Sequence, residues 1–204
     1  MTQGFDASYF QSVIDWAAVK ASGKAQFAYA RATQGISYTD PTFRRNHDTA
    51  KLREIPIGAY HFWMFADDPE AQAEHFLSQT YRAGRFGENL PMVDVEEGSF
   101  VGIPTVAAAC TALARFLSPI EAILGKKMIR YTNYDTWQRF FGNTSAFSDG
   151  PLWLAQTENP ASGLYGGWKD YLLWQDGTTE IPGITGAVDY DTLNPARPLA
   201  DLTR

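Results

Sequence analysis

Segments with the pattern of β-strands and segments with the pattern of α-helices alternate along most of this 204-residue chain, and no other feature restricts its fold as much. Strand-like runs cover residues 2–6, 25–33, 55–65, 89–96, 127–133, 152–156, 171–175 and 185–191. Helical patterns follow the first five runs, at 13–21, 40–54, 67–84, 106–124 and 134–142. Because strands separated by helices usually pair in parallel and eight strands can close on themselves, the sequence predicts an α/β barrel with eight parallel strands.

Two of the helices have identifiable boundaries. Asp40 followed by Pro41 predicts the start of the second helix, because aspartate caps free N–H groups and proline suits the first helical position. Apolar residues recur at spacings of three and four through the fourth helix up to Gly125, and Pro119 should kink or split that helix near Ser118. No linker or repeat interrupts the chain, so we expect residues 1–204 to form one domain.

Composition excludes several classes of function. A net charge of −6 without any basic run argues against nucleic-acid binding. One cysteine, Cys110, allows no intrachain disulfide, and the absence of clustered histidines or C-x-x-C motifs predicts no metal site and no cofactor. No stretch approaches the ~20 apolar residues of a membrane span. The N-terminus does not have the pattern of a signal peptide, so we expect either synthesis in the cytoplasm or the loss of a signal segment. We also expect the protein to be a monomer.

The run "LPMVDVEEGS", residues 90–99, places acidic residues directly after an apolar strand. Side chains alternate between the two faces of a strand, so Asp94 and Glu96 share a face with Leu90 and Met92. Both acids should then emerge at the carboxyl-terminal rim of the barrel, where the active sites of such barrels lie. A helix cap or a solvated loop is the alternative explanation for acids at this position.

Two further acids are expected near the same rim. Asp6 ends the first strand and Asp189 lies in the last one, and these strands are neighbours in a closed barrel. Four carboxylates near one cleft repel each other, which raises the pKa of at least one of them. A carboxylic acid that stays protonated near neutral pH can act as a general acid, and glycoside hydrolysis is the reaction that most often uses this arrangement.

Nine short motifs strengthen this interpretation because they occur in the order of one enzyme family. The chain resembles the family 25 glycoside hydrolases, the Chalaropsis-type lysozymes, over residues 4–191, nearly its whole length. The motifs are "GFDAS" (4–8), "IDW" (14–16), "RATQG" (31–35), "GAYHF" (58–62), "VDVE" (93–96), "YTN" (131–133), "LWLAQ" (152–156), "WQ" (174–175) and "VDYD" (188–191).

The resemblance implies an irregular, flattened TIM-like barrel of eight strands and about five helices. It also implies a muramidase, which cleaves the β-1,4 bond between N-acetylmuramic acid and N-acetylglucosamine in bacterial peptidoglycan. Glu96 matches the general acid and Asp94 the second carboxylate of that motif. Asp6 and Asp189 match the flanking acids of the cleft, and Tyr60 matches an aromatic residue that lines it.

Three more residues are candidates for substrate binding. Tyr131 and Trp174 lie in family-like motifs at strand ends, where they could line a sugar groove or fill the barrel. Gln175 could bind a sugar hydroxyl or satisfy buried backbone groups. His61 is interpreted as a hydrogen-bonded histidine of the barrel rather than a catalytic one.

The motif "RATQG" departs from the family pattern at two positions. The family usually has Lys and Glu where this chain has Arg31 and Gln34. Arginine keeps the positive charge but not the geometry of lysine. Gln34 removes a carboxylate, which we expect to change substrate contacts or the pH optimum without abolishing activity.

The resemblance leaves the mechanism open after Glu96 has protonated the leaving oxygen. A second carboxylate could attack the sugar or activate a water, or the substrate's own N-acetyl group could attack while Asp94 orients it; we favour the last route.

A non-catalytic glycan-binding protein on a degenerate barrel is the main alternative function, and it predicts the loss of an acid. A second alternative, a barrel hydrolase that acts on chitin, would show the pattern D-x-x-D-x-D-x-E, of which only D-x-E is present. A third, a metabolic barrel enzyme that binds phosphate, would need a glycine-rich loop after a late strand, and "GLYGG" (163–167) matches such a loop poorly.

The expected partner is the glycan strand of bacterial peptidoglycan. A wall enzyme without a signal peptide fits release at cell lysis or delivery by a phage. We expect a single catalytic domain, since no separate wall-binding domain is visible after Asp191.

Overall fold

The computed structural model describes residues 1–156 and 163–204, which form a closed barrel surrounded by helices. The strands in this part of the chain are β1 (Gln3–Ala7), β2 (Phe27–Gln34), β3 (Tyr38–Thr39), β4 (Ile57–Phe62), β5 (Met92–Asp94), β6 (Ile129–Thr132), β7 (Leu152–Ala155), β8 (Leu173–Glu180) and β9 (Ala187–Leu193). The α-helices are α1 (Trp16–Ser22), α2 (Phe43–Leu52), α3 (Pro69–Gln79), α4 (Val106–Leu124) and α5 (Tyr134–Phe141). The strand order is β1-β9-β8-β7-β6-β5-β4-β2-β3, and β1 also pairs with β2. Eight strands therefore close the ring, as predicted, and the two-residue β3 extends β2 outside it.

The direction of the last strand differs from the prediction of a parallel sheet. β9 runs antiparallel to both of its neighbours, β8 and β1, whereas the other strands of the ring pair in parallel. No helix separates β8 from β9 in the described chain, so the two form a hairpin, and a hairpin is antiparallel. Because β9 is reversed, Asp189 near its start lies at the carboxyl-terminal end of the parallel strands.

Side-chain alternation divides the core into two layers. The inner layer fills the barrel with large side chains that include Tyr29, Leu90, Met92 and Trp153. The outer layer lies between the barrel and the helices and contains the alternate residues of the same strands, such as Val93 and Val95. The predicted shared face of Leu90 and Met92 is thus the barrel interior, and Asp94 follows them on that face.

Helix α4 corrects two expectations. It is a single helix from Val106 to Leu124 with Pro119 inside it, so the proline does not split it. Buried residues on both sides of Pro119, such as Phe116 and Ile120, pack into the same outer layer and keep the segment together. By length and composition α4 could cross a membrane, with 19 residues and a mean hydropathy of 1.4, contrary to the expectation that no stretch approaches this limit.

Asp40 does not cap α2 as predicted. The helix begins at Phe43, and Thr42 occupies the N-cap position. The Asp40 carboxylate accepts hydrogen bonds from the backbone N–H and the hydroxyl of Thr42, and its second oxygen binds Arg31 and the backbone N–H of Tyr9. Asp40 therefore joins the end of β1, the strand β2 and the start of α2 at the carboxyl-terminal rim.

Candidate active site

A cavity of about 240 Å³ opens at the carboxyl-terminal end of the barrel. Among the described residues, its floor and walls come from seven strands of the barrel and from the turns that follow β1 and β5. The described residues that line it are Asp6, Ser8, Phe10, Gln11, Arg31, Tyr60, Phe62, Met92, Asp94, Glu96, Tyr131, Gln175 and Asp189.

All four acids predicted from the sequence line this one cavity. Asp6 is the fourth residue of β1, and Asp94 is the last residue of β5. Glu96 lies two residues beyond β5, where its backbone N–H donates to the Ser99 hydroxyl at 3.2 Å. The reversed direction of β9 places Asp189 on the same rim, so the fold converts four distant positions into one cluster.

Burial raises the pKa of every acid in the cluster, and repulsion from neighbouring carboxylates raises those of Asp6, Asp94 and Glu96 further. Burial raises the pKa of Asp6 to about 8, and the charge of Asp189 adds to this effect. Burial, followed by the charges of Glu96 and Asp6, raises the pKa of Asp94 well above its usual value. The pKa of Glu96 is raised by burial and by Asp189, and the pKa of Asp189 is raised by burial. The cluster therefore holds protons to a higher pH than free carboxylates would.

Arg31 is the cation of the cavity, and sequence reasoning did not include it among the site residues. Its charge lowers the pKa of Asp6, Asp94 and Glu96, opposing the effect of burial. Its Nε donates to Asp40 at 3.2 Å, while its buried Nη2 has no hydrogen-bond partner in the structure. Its motif partner Gln34 does not line the cavity and instead has its amide 3.8 Å from the Met64 sulfur.

Tyr131, Gln175 and Asp6 form a hydrogen-bonded chain across the cavity. The Tyr131 hydroxyl donates to Gln175 Oε1 at 2.7 Å, and Gln175 Nε2 donates to Asp6 Oδ2 at 2.9 Å. Because Tyr131 occupies the amide oxygen, the NH2 group of Gln175 is directed to Asp6. Both residues were candidates for substrate binding, and the structure places both at the cavity and fixes the position of Asp6 through them.

The structure places Tyr60 and Trp174 on opposite sides of the barrel wall. Tyr60 is buried and lines the cavity. Trp174 is not among the described residues that line the cavity, so its position at a sugar groove stays a prediction. The side chain of Trp174 packs against the outer core, and its indole N–H donates to the Gln156 carbonyl oxygen at 2.8 Å. Since Gln175 faces the cavity, the adjacent residue on the same strand must face outward.

Asp191 is a buried acid beneath the cavity that sequence reasoning did not select. Its side chain is fully buried, and neither carboxyl oxygen has a hydrogen-bond partner that meets standard geometry. Burial and the charges of Asp6 and Asp189 raise its pKa well above the usual value. Asp191 is two residues from Asp189 and shares its face of β9, so strand alternation could have identified it.

His61 is a structural residue, as interpreted from the sequence. Its ring nitrogens lie 2.7 Å from the Thr33 hydroxyl and 3.2 Å from Gln72 Oε1, and the ring is fully buried. Burial lowers its pKa to about 3, so the ring is neutral at physiological pH. In residues 1–156 and 163–204, no group of three or more His, Cys, Asp and Glu side chains has an arrangement suited to a metal ion.

Comparison with known proteins identifies the family of this chain. The model of the glycosyl hydrolases family 25 matches residues 5–184. The chain belongs to glycosyl hydrolase family 25. The matched region contains Asp6, Asp94 and Glu96 and ends before Asp189. The chain is therefore a glycoside hydrolase, and its closed α/β barrel is the fold of this family.

Relatives in family 25 are similar over nearly the whole chain. The N,O-diacetylmuramidase of Chalaropsis sp. is 32% identical over 202 residues, which cover 92% of this chain and 95% of that protein. Lysozyme M1 of Streptomyces globisporus is 30% identical, over 94% of this chain and 67% of its own length. The crystal structure of the bacterial lysozyme from Streptomyces coelicolor superposes with a TM-score of 0.86 at 28% identity, covering 98% of this chain and 96% of that one.

Proposed function

We propose that the protein is a muramidase that hydrolyses the β-1,4 bond between N-acetylmuramic acid and N-acetylglucosamine in the glycan strands of bacterial peptidoglycan. The observation that carries this proposal is the convergence of Asp6, Asp94, Glu96 and Asp189 on one cavity at the carboxyl-terminal end of the barrel. Similarity to muramidases of the same family supports the choice of bond.

Glu96 is the general acid in this proposal. Its carboxyl group is partly exposed, so a glycosidic oxygen in the cavity can reach it, whereas Asp94 is buried. Burial and the Asp189 charge raise the pKa of Glu96, which keeps the acid protonated to a higher pH. A protonated carboxyl can deliver its proton to the leaving oxygen as the glycosidic bond breaks.

Asp94 orients the N-acetyl group of the substrate. Its Oδ1 is buried and has no hydrogen-bond partner in the structure. The N–H of an N-acetyl group would satisfy this oxygen, and the hydrogen bond would direct the acetyl oxygen to the anomeric carbon. That oxygen forms the new bond to the anomeric carbon while the bond to the leaving oxygen breaks and that oxygen takes the proton from Glu96. Water then attacks the anomeric carbon, the bond to the acetyl oxygen breaks, and Glu96 takes the proton that the water loses.

The remaining acids stabilise the positive charge that develops on the sugar. Gln175 donates a hydrogen bond to the Asp6 carboxyl group, and Asp189 lines the same cavity. The oxygens of these two carboxyl groups carry full or partial negative charge, which stabilises the positive charge at the anomeric carbon. Tyr60 and Tyr131 line the wall of the cavity, with Tyr131 anchored on Gln175. These residues limit how the sugar can lie and complete the site for hydrolysis.

The cellular setting is part of the same proposal. The protein acts on the bacterial cell wall, which it reaches through release at lysis, through delivery by a phage particle or, where a signal segment has been lost from this sequence, through export.

The test is digestion of peptidoglycan by the wild type and by Glu96→Gln, with products reduced by borohydride and identified by mass spectrometry. We expect the wild type alone to release reduced muramic acid ends. Glu96→Gln keeps the size of the side chain but cannot donate the proton, so we expect a loss of at least about 10³-fold in rate. Reduced glucosamine ends would contradict the proposed bond, and no release by the wild type would contradict a muramidase.

The route after protonation has its own test. Attack by the N-acetyl group followed by water inverts the anomeric centre twice, so the first-formed product should retain the β configuration. NMR of the initial anomer during hydrolysis of a soluble peptidoglycan fragment measures this directly. An inverted first product would exclude the N-acetyl route and leave direct attack by water.

A further inference from the structure

Three aromatic rings form an exposed surface at one edge of the cavity, and we call Tyr9, Phe10 and Tyr38 the aromatic platform. Phe10 also lines the cavity that contains Asp6 and Glu96, so the platform is continuous with the candidate active site. Exposed fractions are 42% for Tyr9, 69% for Phe10 and 39% for Tyr38. A single exposed ring is common on protein surfaces, whereas several exposed rings in contact with one another are typical of a binding surface.

The three rings come from two separate segments that meet at this edge. Tyr9 and Phe10 follow β1, and Tyr38 begins β3. The ring centroids of Tyr9 and Phe10 lie 4.1 Å apart, and those of Tyr9 and Tyr38 lie 6.4 Å apart. The ring planes of Tyr9 and Phe10 differ by 31° and those of Tyr9 and Tyr38 by 64°, so the rings form one contiguous but angled surface.

Arg31 supports the platform from below. Its guanidinium carbon lies 5.1 Å from the Tyr9 ring centroid and 5.7 Å from the centroids of Phe10 and Tyr38. These distances fit cation–π contacts with all three rings. The arginine thus holds the rings together at the edge of the cavity.

Asp40 fixes this arrangement before any ligand binds. The carboxylate is 2% exposed and accepts from the Tyr9 backbone N–H at 2.9 Å and from Arg31 Nε at 3.2 Å. A ring surface held by a buried carboxylate loses little conformational entropy on binding. The platform is therefore preorganised.

An unsatisfied donor beside the platform indicates the polarity of the missing ligand. Arg31 Nη2 is buried and has no hydrogen-bond partner, although Arg31 lines the cavity. A hydroxyl or carbonyl oxygen would satisfy this N–H group, while a flat apolar face would cover the rings. A pyranose offers both, since its C–H groups form a flat face and its hydroxyl and acetamido oxygens lie around the edge.

We propose that the aromatic platform and Arg31 form a sugar-binding subsite that holds a pyranose of the glycan strand outside the catalytic cavity. This inference rests on the proposed glycan-cleaving function and adds to it a contact that lengthens the recognised strand. The sugar stacks on the exposed rings, and Arg31 holds these rings in place from the buried side. Longer strands should therefore bind more tightly than fragments that fill the cavity alone.

Binding without turnover tests the subsite. In the Glu96→Gln background, calorimetry would measure the Kd of peptide-free oligosaccharides of two, four and six sugars that alternate N-acetylglucosamine and N-acetylmuramic acid. We expect the added pair Phe10→Ala and Tyr38→Ala to weaken binding of the six-sugar strand by about tenfold or more, with a smaller effect on the two-sugar fragment. Tyr81→Ala, which removes an exposed ring at the other end of the barrel, should change Kd by less than about twofold.

A second pair of variants separates loss of the rings from loss of folding. Phe10→Leu and Tyr38→Leu keep apolar bulk but remove the flat aromatic face, and thermal unfolding of each variant checks the fold. Weaker binding of the six-sugar strand by folded Leu variants supports the subsite. Unchanged binding in the Ala variants, or a loss seen only with strands that carry stem peptides, overturns it. Wall digestion by the wild type is scored separately, so failure of the muramidase proposal is distinguishable from failure of the subsite.

Discussion

The two ends of the barrel use charge in opposite ways. At the amino-terminal end, a cavity of about 650 Å³ is lined by charged residues that include Asp149, Asp170, Arg197 and Asp201. Ion pairs neutralise them: Asp149 lies 2.7 Å from Lys127, and Arg197 lies 2.9 Å from Asp170 and 3.3 Å from Asp201. In the smaller cavity at the carboxyl-terminal end, the described lining residues include four acids and one arginine.

This difference shows that unbalanced charge, rather than cavity size, marks the site. In the larger cavity, Asp149, Asp170, Asp201 and Arg197 are all in ion pairs, so these groups are satisfied without a ligand. The smaller one retains carboxyl groups with raised pKa values and two buried polar atoms, Asp94 Oδ1 and Arg31 Nη2, that have no partner. Buried groups without partners lower the stability of a fold, and acids with perturbed pKa values are typical of active sites. Their presence in the smaller cavity therefore indicates a function.

The largest expected effect is on activity and separates the two ends directly. Asp94→Asn should reduce wall digestion by about 10²- to 10³-fold, because the amide cannot orient and polarise the N-acetyl group as a carboxylate does. Asp170→Asn makes the same chemical change at the amino-terminal cavity and should leave the rate within about twofold. Release of reducing ends from peptidoglycan measures both, and equal losses would contradict the contrast between the ends.

The next effect is on stability and belongs to the amino-terminal end. Arg130 is 1% exposed, and its Nη2 lies 2.7 Å from Glu121. Glu121→Gln leaves the buried guanidinium without its close counter-charge, which should lower the free energy of unfolding by about 2–4 kcal/mol. Thermal unfolding measures the change, and activity at 25 °C should persist. A variant as stable as the wild type would show that the pair is not needed to balance Arg130.

Removing an acid from the cluster should stabilise the protein in a pH-dependent way. The pKa of Asp6 is raised to about 8 in the folded protein, whereas an aspartate in the unfolded chain ionises near pH 4. Between these two pH values the unfolded state releases the proton and the folded state keeps it, so the free energy of unfolding of the wild type falls as the pH rises. Asp6→Asn cannot ionise, so its advantage should be small at pH 4 and grow to about 1–3 kcal/mol at pH 8. Denaturant unfolding at both values measures it, and an advantage independent of pH would contradict the raised pKa.

The smallest effect concerns the chain from Tyr131 to Asp6. Tyr131→Phe removes the hydroxyl that fixes Gln175, so Gln175 can rotate and Asp6 loses a defined partner. One neutral hydrogen bond is worth about 1 kcal/mol, which predicts a three- to tenfold fall in rate. Tyr81→Phe is the matched control at the other end. A Tyr131→Phe enzyme with wild-type activity would show that the chain does not position Asp6.

Much of the fold and the acid cluster could be predicted from the sequence. Strand–helix alternation indicated the closed barrel, and the alternation of side chains in β5 put Asp94 and Glu96 on the face of Leu90 and Met92. The direction of β9 was not predictable in the same way, because the periodicity of a strand does not record which way it runs. The absence of a helix between residues 175 and 185 was the available indication of a hairpin.

What sequence reasoning missed at the site has a common physical cause. Trp174 and Gln175 are each candidates for the groove from the sequence, although adjacent residues of a strand face opposite sides. Asp191 was missed although it shares a face with Asp189, and Arg31 was noted only as a departure from the family pattern. Its role depends on Asp40 and on rings from two other segments, which the sequence does not place together.

The most direct test of the account is a crystal structure of Glu96→Gln with a peptide-free oligosaccharide of N-acetylglucosamine and N-acetylmuramic acid. We predict that the strand lies across the carboxyl-terminal end of the barrel, with an N-acetyl N–H within hydrogen-bond distance of Asp94 Oδ1. Sugar bound in the amino-terminal cavity beside Asp170 and Arg197, with the acid cluster empty, would contradict the central claim that unbalanced charge marks the site.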